Sequence, residues 1–171
     1  MNLLERFIAE AKKRRKTVVL PEGTDERILQ TALELNAAGV ARPILIGREE
    51  EIVPRLGSVV PGGDTIRVID PETSPLAGEL ADLYASRRTN VSARVAARLV
   101  KRDLVFGGML VAAGKADGMV AGAANPTASV IQAAALTIGY EEGISTPSSF
   151  FIMVLPDGRT LFYADCAVNI A

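Results

Sequence analysis

The residues best placed to do chemistry lie in one stretch, Asp117-Gly118-Met119-Val120-Ala121-Gly122-Ala123-Ala124-Asn125-Pro126-Thr127-Ala128-Ser129. Its start reads as a buried strand over residues 117–121, and its small residues lead directly into a helix reaching Ile138. A strand that empties onto a helix N-terminus suits an anion. Free backbone N–H groups and the helix dipole favour negative charge, glycines permit close approach, and the hydroxyls of Thr127 and Ser129 add donors. A plain structural reading also exists, with Asn125 as N-cap and Pro126 as the first helical residue. Pro126 lacks an N–H and so withholds one donor.

Two further groups carry charge that a site could use. Arg87 and Arg88, after Tyr84, are candidates for gripping a phosphate, because a guanidinium can hold two oxygens at once. Arg94, Arg98 and Arg102 follow at four-residue spacing and read as a basic stripe on one helix face, a pattern that usually marks a solvated surface. Glu22, Asp25 and Arg27 stand at the C-terminal edge of the first strand, where ligands gather in open α/β sheets. Structurally they are explained by Asp25 or Thr24 capping the next helix and Glu22 pairing with Arg27. Cys166 has no histidine to activate it and reads as a small buried hydrophobe. Asp165 beside it is available as a base, with nothing local to raise its pKa.

Composition narrows the chemistry. The chain has 171 residues, 19 Lys+Arg against 20 Asp+Glu, a net charge of −1, no His and one Cys. Without His, Ser-His-Asp and Cys-His catalysis are excluded, and so is the usual zinc ligand. No metal is expected. Near-zero charge and 5% aromatic residues argue against nucleic acid as a partner. Residues 1–16 alternate apolar and charged positions, unlike a signal peptide, and the longest apolar-leaning run, residues 119–124, is far short of the ~20 needed to span a bilayer. A cytoplasmic protein without membrane contact is expected. With 49% hydrophobic residues, a chain of this length buries roughly 70% of its unfolded surface and can build a core unaided.

The elements that must hold these residues alternate. A helix is predicted over residues 3–13, with Leu4, Phe7, Ile8 and Ala11 at helical spacing, and a strand over Thr17–Leu20 closed by Pro21. Then come a helix to about Ala38 ending at Gly39, a strand at 43–46, a short helix at 49–56, a loop at Pro61-Gly62-Gly63 and a strand at 65–69. Residues 76–114 read as helical, broken near Thr89-Asn90 and Arg102-Asp103. This alternation predicts an α/β fold, a parallel sheet flanked by helices. The end changes character. Residues 149–155 and 160–164 flank Pro156-Asp157-Gly158 and read as an antiparallel hairpin. Its strands are apolar on both faces, so it needs cover, and self-association as a homo-oligomer is expected.

Leu20-Pro21-Glu22-Gly23-Thr24-Asp25-Glu26-Arg27, Ala116-Asp117-Gly118-Met119-Val120-Ala121-Gly122-Ala123, Ser149-Phe150-Phe151-Ile152-Met153 and Phe162-Tyr163-Ala164-Asp165-Cys166-Ala167-Val168-Asn169 resemble, in order and spacing, the phosphate acetyltransferase and phosphate butyryltransferase family. The resemblance implies an isocitrate/isopropylmalate dehydrogenase-like two-domain fold, usually dimeric, with its active site between the domains. This chain would then be an N-terminal half, residues 1–144 forming the α/β domain and residues 145–171 the start of an incomplete second domain. The implied reaction is acetyl-CoA + phosphate ⇌ acetyl phosphate + CoA, with coenzyme A as substrate and neither metal nor redox cofactor in the chemical step. The isolated chain is expected to be inactive, since the catalytic residues are expected in the absent half. Carried over by position, Arg87 falls on an arginine near phosphate and CoA, and residues 125–129 fall on the acyl-phosphate loop. The implied phosphate-binding set is Arg87, Asn125, Thr127 and Ser129, with Arg88 and Gln132 supporting. Two departures stand out. The family's loop is rich in Ser and Thr, continues with Asp-Thr and has an arginine two residues further, whereas Pro126, Thr127, Ala128, Ser129, Val130 and Gln132 occupy those positions here. The chain is also about half the family's length. A catalytically inactive module binding acyl phosphate or CoA is the alternative. A nucleotide-binding oxidoreductase is weak, because residues 114–122 do not give G-x-G-x-x-G opening a helix.

Overall fold

The computed structural model describes residues 2–57, 66–164 and 166. The expected loop at Pro61-Gly62-Gly63, the start of a strand at Thr65, Asp165 and Ala167-Val168-Asn169 lie outside the described residues. In chain order the elements are α1 (Leu3–Arg14), β1 (Thr17–Leu20), α2 (Glu26–Ala37), β2 (Arg42–Ile46), α3 (Glu49–Leu56), β3 (Arg67–Ile69), α4 (Leu76–Ser86), α5 (Ala93–Val100), α6 (Asp103–Ala112), β4 (Gly118–Met119), α7 (Thr127–Thr137), β5 (Phe150–Val154) and β6 (Thr160–Ala164).

Strands β1 to β4 form a parallel sheet in the order β3-β2-β1-β4. Successive side chains point to opposite faces, and both faces are covered, so the strands read as almost unbroken apolar runs. Val19, Ile44 and Ile46 pack with Leu80, Tyr84, Val100, Phe106, Met109 and Leu110 of α4, α5 and α6. Leu20 and Leu45 pack on the other face with Leu29, Ala32 and Ile52 of α2 and α3. Two glycines let α6 lie close. A Cβ on Gly107 would stand 3.0 Å from Val19 Cγ1, and one on Gly108 only 2.1 Å from Thr137 Oγ1 of α7. Thr137 is itself buried and donates that hydroxyl to the Ala133 carbonyl at 2.7 Å.

Three expectations shift. The strand expected over residues 117–121 is only two residues long and half-buried, because β4 pairs with β1 alone. Asp117 instead accepts hydrogen bonds from the Thr17 N–H (2.8 Å) and Lys16 Nζ (2.5 Å). The basic stripe does not hold together. Helix α5 ends at Val100, leaving Arg94 and Arg98 solvated on it, while Arg102 becomes the N-cap of α6. The N-cap of α7 is Pro126 (φ −59°, ψ 145°), one residue later than expected, and Asn125 instead donates its backbone N–H and Nδ2 to Glu22.

The hairpin forms as expected, with Phe151 opposite Tyr163 and a turn in which Gly158 has a left-handed φ of 85°. All five residues of β5 are exposed. Phe150 and Phe162 are 67% and 71% exposed.

Candidate functional site

The sheet order reverses at β1. From there the chain moves outward through β2 and β3 on one side and returns as β4 on the other, leaving a crevice beyond the C-terminal ends of β1 and β4. In open α/β sheets that is where ligands bind. The segments that leave these two strands, residues 21–25 and 120–126, meet there.

Glu22, 6% exposed, reaches from the first segment into the second. Its Oε2 accepts from the N–H groups of Gly122 (3.0 Å) and Ala123 (2.9 Å). Its Oε1 accepts from the N–H groups of Ala124 (2.9 Å) and Asn125 (2.8 Å) and from Asn125 Nδ2 (2.8 Å). Successive backbone N–H groups make an anion-binding concavity, and in this chain a carboxylate of the chain itself fills it. Burial pushes the Glu22 pKa up, but the hydrogen bonds from Asn125, Ala124, Ala123 and Gly122 outweigh it and hold the group below its ordinary value.

This overturns the expected pairing of Glu22 with Arg27. Asp25, the N-cap of α2, takes Arg27 instead, accepting from Nε at 3.0 Å and Nη2 at 2.7 Å. Hydrogen bonding from Arg27 outweighs partial desolvation and draws the Asp25 pKa down to about 2. Arg27 Nη2 also donates to the Ala123 carbonyl at 2.6 Å. The loop after β4 is thus held from both sides, its N–H groups by Glu22 and a carbonyl by Arg27.

Beside this loop lies a cavity of about 330 Å³ between α7 and the α5–α6 junction, lined among others by Tyr84, Arg102, Asp103, Asn125, Ser129 and Gln132. Ser129 and Gln132 share one side of α7 because they are three residues apart, and Asn125 lines the same cavity from the loop before the helix. Three of the candidate residues are thereby brought together. Thr127 is exposed and turned elsewhere. Arg87 and Arg88 lie apart, at a smaller cavity of about 140 Å³. Arg88 Nη2 donates to the carbonyls of Leu136 (2.7 Å) and Ala135 (3.3 Å), and its guanidinium sits 5.2 Å from the Tyr84 ring centroid. Arg87 Nη2 donates to the Ala112 carbonyl at 3.0 Å. Both arginines therefore satisfy carbonyls at helix C-termini, where cations are favoured.

Sequence reasoning did not single out Arg102 or Asp103 for this cavity. Partial desolvation and repulsion from Asp70 push the Asp103 carboxyl above its ordinary value. Cys166 is half-buried rather than enclosed, and its Sγ lies 3.5 Å from the Ala164 carbonyl. It lies just beyond β6, whose hairpin is exposed along β5. Among the described residues no helix is long and apolar enough to cross a membrane.

Residues 2–171 match the family described as phosphate acetyl/butaryl transferase. The chain belongs to this family. The phosphate acetyl/butaryl transferase match takes in the whole sheet and the hairpin, and similarity to individual members is correspondingly broad. It is 38% identical to a phosphate acetyltransferase of Acetivibrio thermocellus, over 98% of this chain and 52% of that protein. It is 37% identical to one from Staphylococcus epidermidis, over 89% of this chain and 46% of the relative. Among solved structures, a phosphotransacetylase from Staphylococcus aureus superposes with a TM-score of 0.83 at 32% identity, and one from Streptococcus pyogenes with 0.85 at 28%. Each structural match covers 99% of this chain, and 52% and 53% of the two structures respectively. The chain thus spans about half the length of these relatives.

Proposed function

We propose that this chain carries the phosphate side of a phosphate acyltransferase site, acting within a longer or assembled protein on acetyl-CoA + phosphate ⇌ acetyl phosphate + CoA. The observation that supports this reading best is the cavity between α7 and the α5–α6 junction, lined by Ser129 and Gln132 of α7 and by Asn125 from the loop locked through Glu22. In the direction of acyl phosphate synthesis, a phosphate oxygen attacks the thioester carbonyl carbon, the C–S bond breaks, and the CoA sulfur leaves as a thiolate that takes up a proton. The contribution of this chain is positioning. Fixed hydroxyl and amide donors hold phosphate in line with the acyl carbon, and a rigid loop avoids reorganisation during reaction.

On this reading the groups that hold CoA and move the thiol proton come from the rest of the protein. The domain division at about residue 144, a cytoplasmic location and a homo-oligomer whose contacts cover β5 and β6 belong to the same proposal. Acetyl-CoA formation from acetyl phosphate and CoA is to be assayed with this chain alone and with the C-terminal half of the Acetivibrio thermocellus relative. Activity only on complementation is the expected result. An assembled complex that binds phosphate without turnover overturns the catalytic assignment and makes the chain a binding module.

A further inference from the structure

We propose that Arg102 is the cation that holds substrate phosphate in the cavity between α7 and the α5–α6 junction, a proposal that rests on the phosphate acyltransferase reading. The N–H groups of residues 122–125 are occupied by Glu22, so an incoming anion cannot use them without displacing a buried carboxylate. Of the remaining groups lining the cavity, Ser129 and Gln132 are neutral, and Arg102 is the one cation. Its guanidinium is exposed and, among the described residues, has no hydrogen-bond or ion-pair partner. Arg27, Arg87 and Arg88, by contrast, are already committed to a carboxylate or to helix carbonyls. A guanidinium with all its donors open, facing hydroxyl and amide donors across a small cavity, fits a phosphate better than any other group here.

Asp103 lines the same cavity and opposes the anion. Its place as the first residue of α6 suits the helix dipole, and its charge limits how tightly phosphate is held. The two neighbours thus make opposite predictions for one ligand.

Inorganic phosphate binding is to be measured by calorimetry on the chain, and the phosphate KM in the complemented assay. Arg102→Gln is expected to weaken phosphate binding and raise phosphate KM by about tenfold or more. The acetyl-CoA KM should stay within about twofold. Asp103→Asn is expected to tighten phosphate. Because Arg102 makes no side-chain cap bond, thermal stability without phosphate should not change. Placing the charge on the opposite wall, Arg102→Gln with Gln132→Arg, should restore phosphate binding where a structural role would not. Unchanged phosphate affinity in Arg102→Gln, or no phosphate binding by the unaltered chain, overturns the inference. Phosphate binding that depends on Arg102 without turnover on complementation upholds it and refutes the acyltransfer reading instead.

Discussion

Replacing Glu22 by glutamine exchanges one carboxylate oxygen for an amide nitrogen without changing the volume of the side chain. The carboxylate accepts five hydrogen bonds, two on Oε2 and three on Oε1. A glutamine keeps one acceptor. Whichever way its amide turns, its NH2 group faces at least two backbone N–H groups that then have no acceptor. An orphaned donor costs about 1–3 kcal/mol. Gly122 and Ala124 are exposed enough for water to reach, so the low end applies to each, with the loss of the charge-assisted bonds added. A destabilisation of about 3 kcal/mol is expected, or roughly 10 °C in Tm for a chain of this length. Urea unfolding at pH 7, with the slope unchanged, measures it. The pH dependence separates this from a packing defect. Glu22 is held below its ordinary value of 4.5, so its stabilisation is complete above that value and is lost as pH falls through the folded pKa. The gap between the natural chain and Glu22→Gln should therefore narrow on acidification below about 4.5. A glutamine variant within about 0.5 kcal/mol of the natural chain at pH 7 would refute the clamp, as would a gap that stays constant from pH of about 5 to about 3.

Arg88→Met should cost about 1–2 kcal/mol in the same unfolding assay, because it removes two bonds to the C-terminal carbonyls of α7 and the stacking on Tyr84. Its phosphate affinity should be unchanged, and a loss of affinity without loss of stability would return Arg88 to the anion site. Phe162→Glu, at a residue 71% exposed on the hairpin, should lower the apparent mass in light scattering by breaking association through β5 and β6. A natural chain that is already monomeric sinks that expectation.

The fold was legible because both of its periodicities are strong. Residues 18–20 and 43–46 are apolar without interruption, as strands covered on two faces must be, and the helix boundaries near residues 89 and 102 follow local breaks. The site was legible only where it is local. Ser129 and Gln132 share a side of α7, which their three-residue spacing predicts, and Asn125 joins them from the loop just before the helix. The contact between Glu22 and residues 122–125 spans about a hundred positions and exists only because β4 returns to lie beside β1. Before that adjacency is known, Arg27 is the nearer and seemingly better partner for Glu22. Arg102 was misplaced for the reverse reason. Its four-residue spacing from Arg98 looks helical, and only the end of α5 at Val100 takes it off that face.

The clamp and the cation are linked by one electrostatic argument. A strand-to-helix loop with four free N–H groups would bind an anion wherever it came from, and a bound phosphate would compete with water for a loop that is itself partly exposed. Filling the concavity with Glu22 removes that competition and fixes the loop before substrate arrives, which is preorganisation supplied by folding rather than by binding. It also leaves a buried negative charge beside the crevice. A second anion then needs a positive group that is not already neutralised, and Arg27, Arg87 and Arg88 are already spent on a carboxylate or on carbonyls. If Glu22 and Arg102 are coupled in this way, Glu22→Gln should tighten phosphate modestly in the folded fraction, because one opposing charge is removed, even as it lowers stability. Phosphate affinity that falls in parallel with stability would instead mean that loop order, not charge, dominates the cavity.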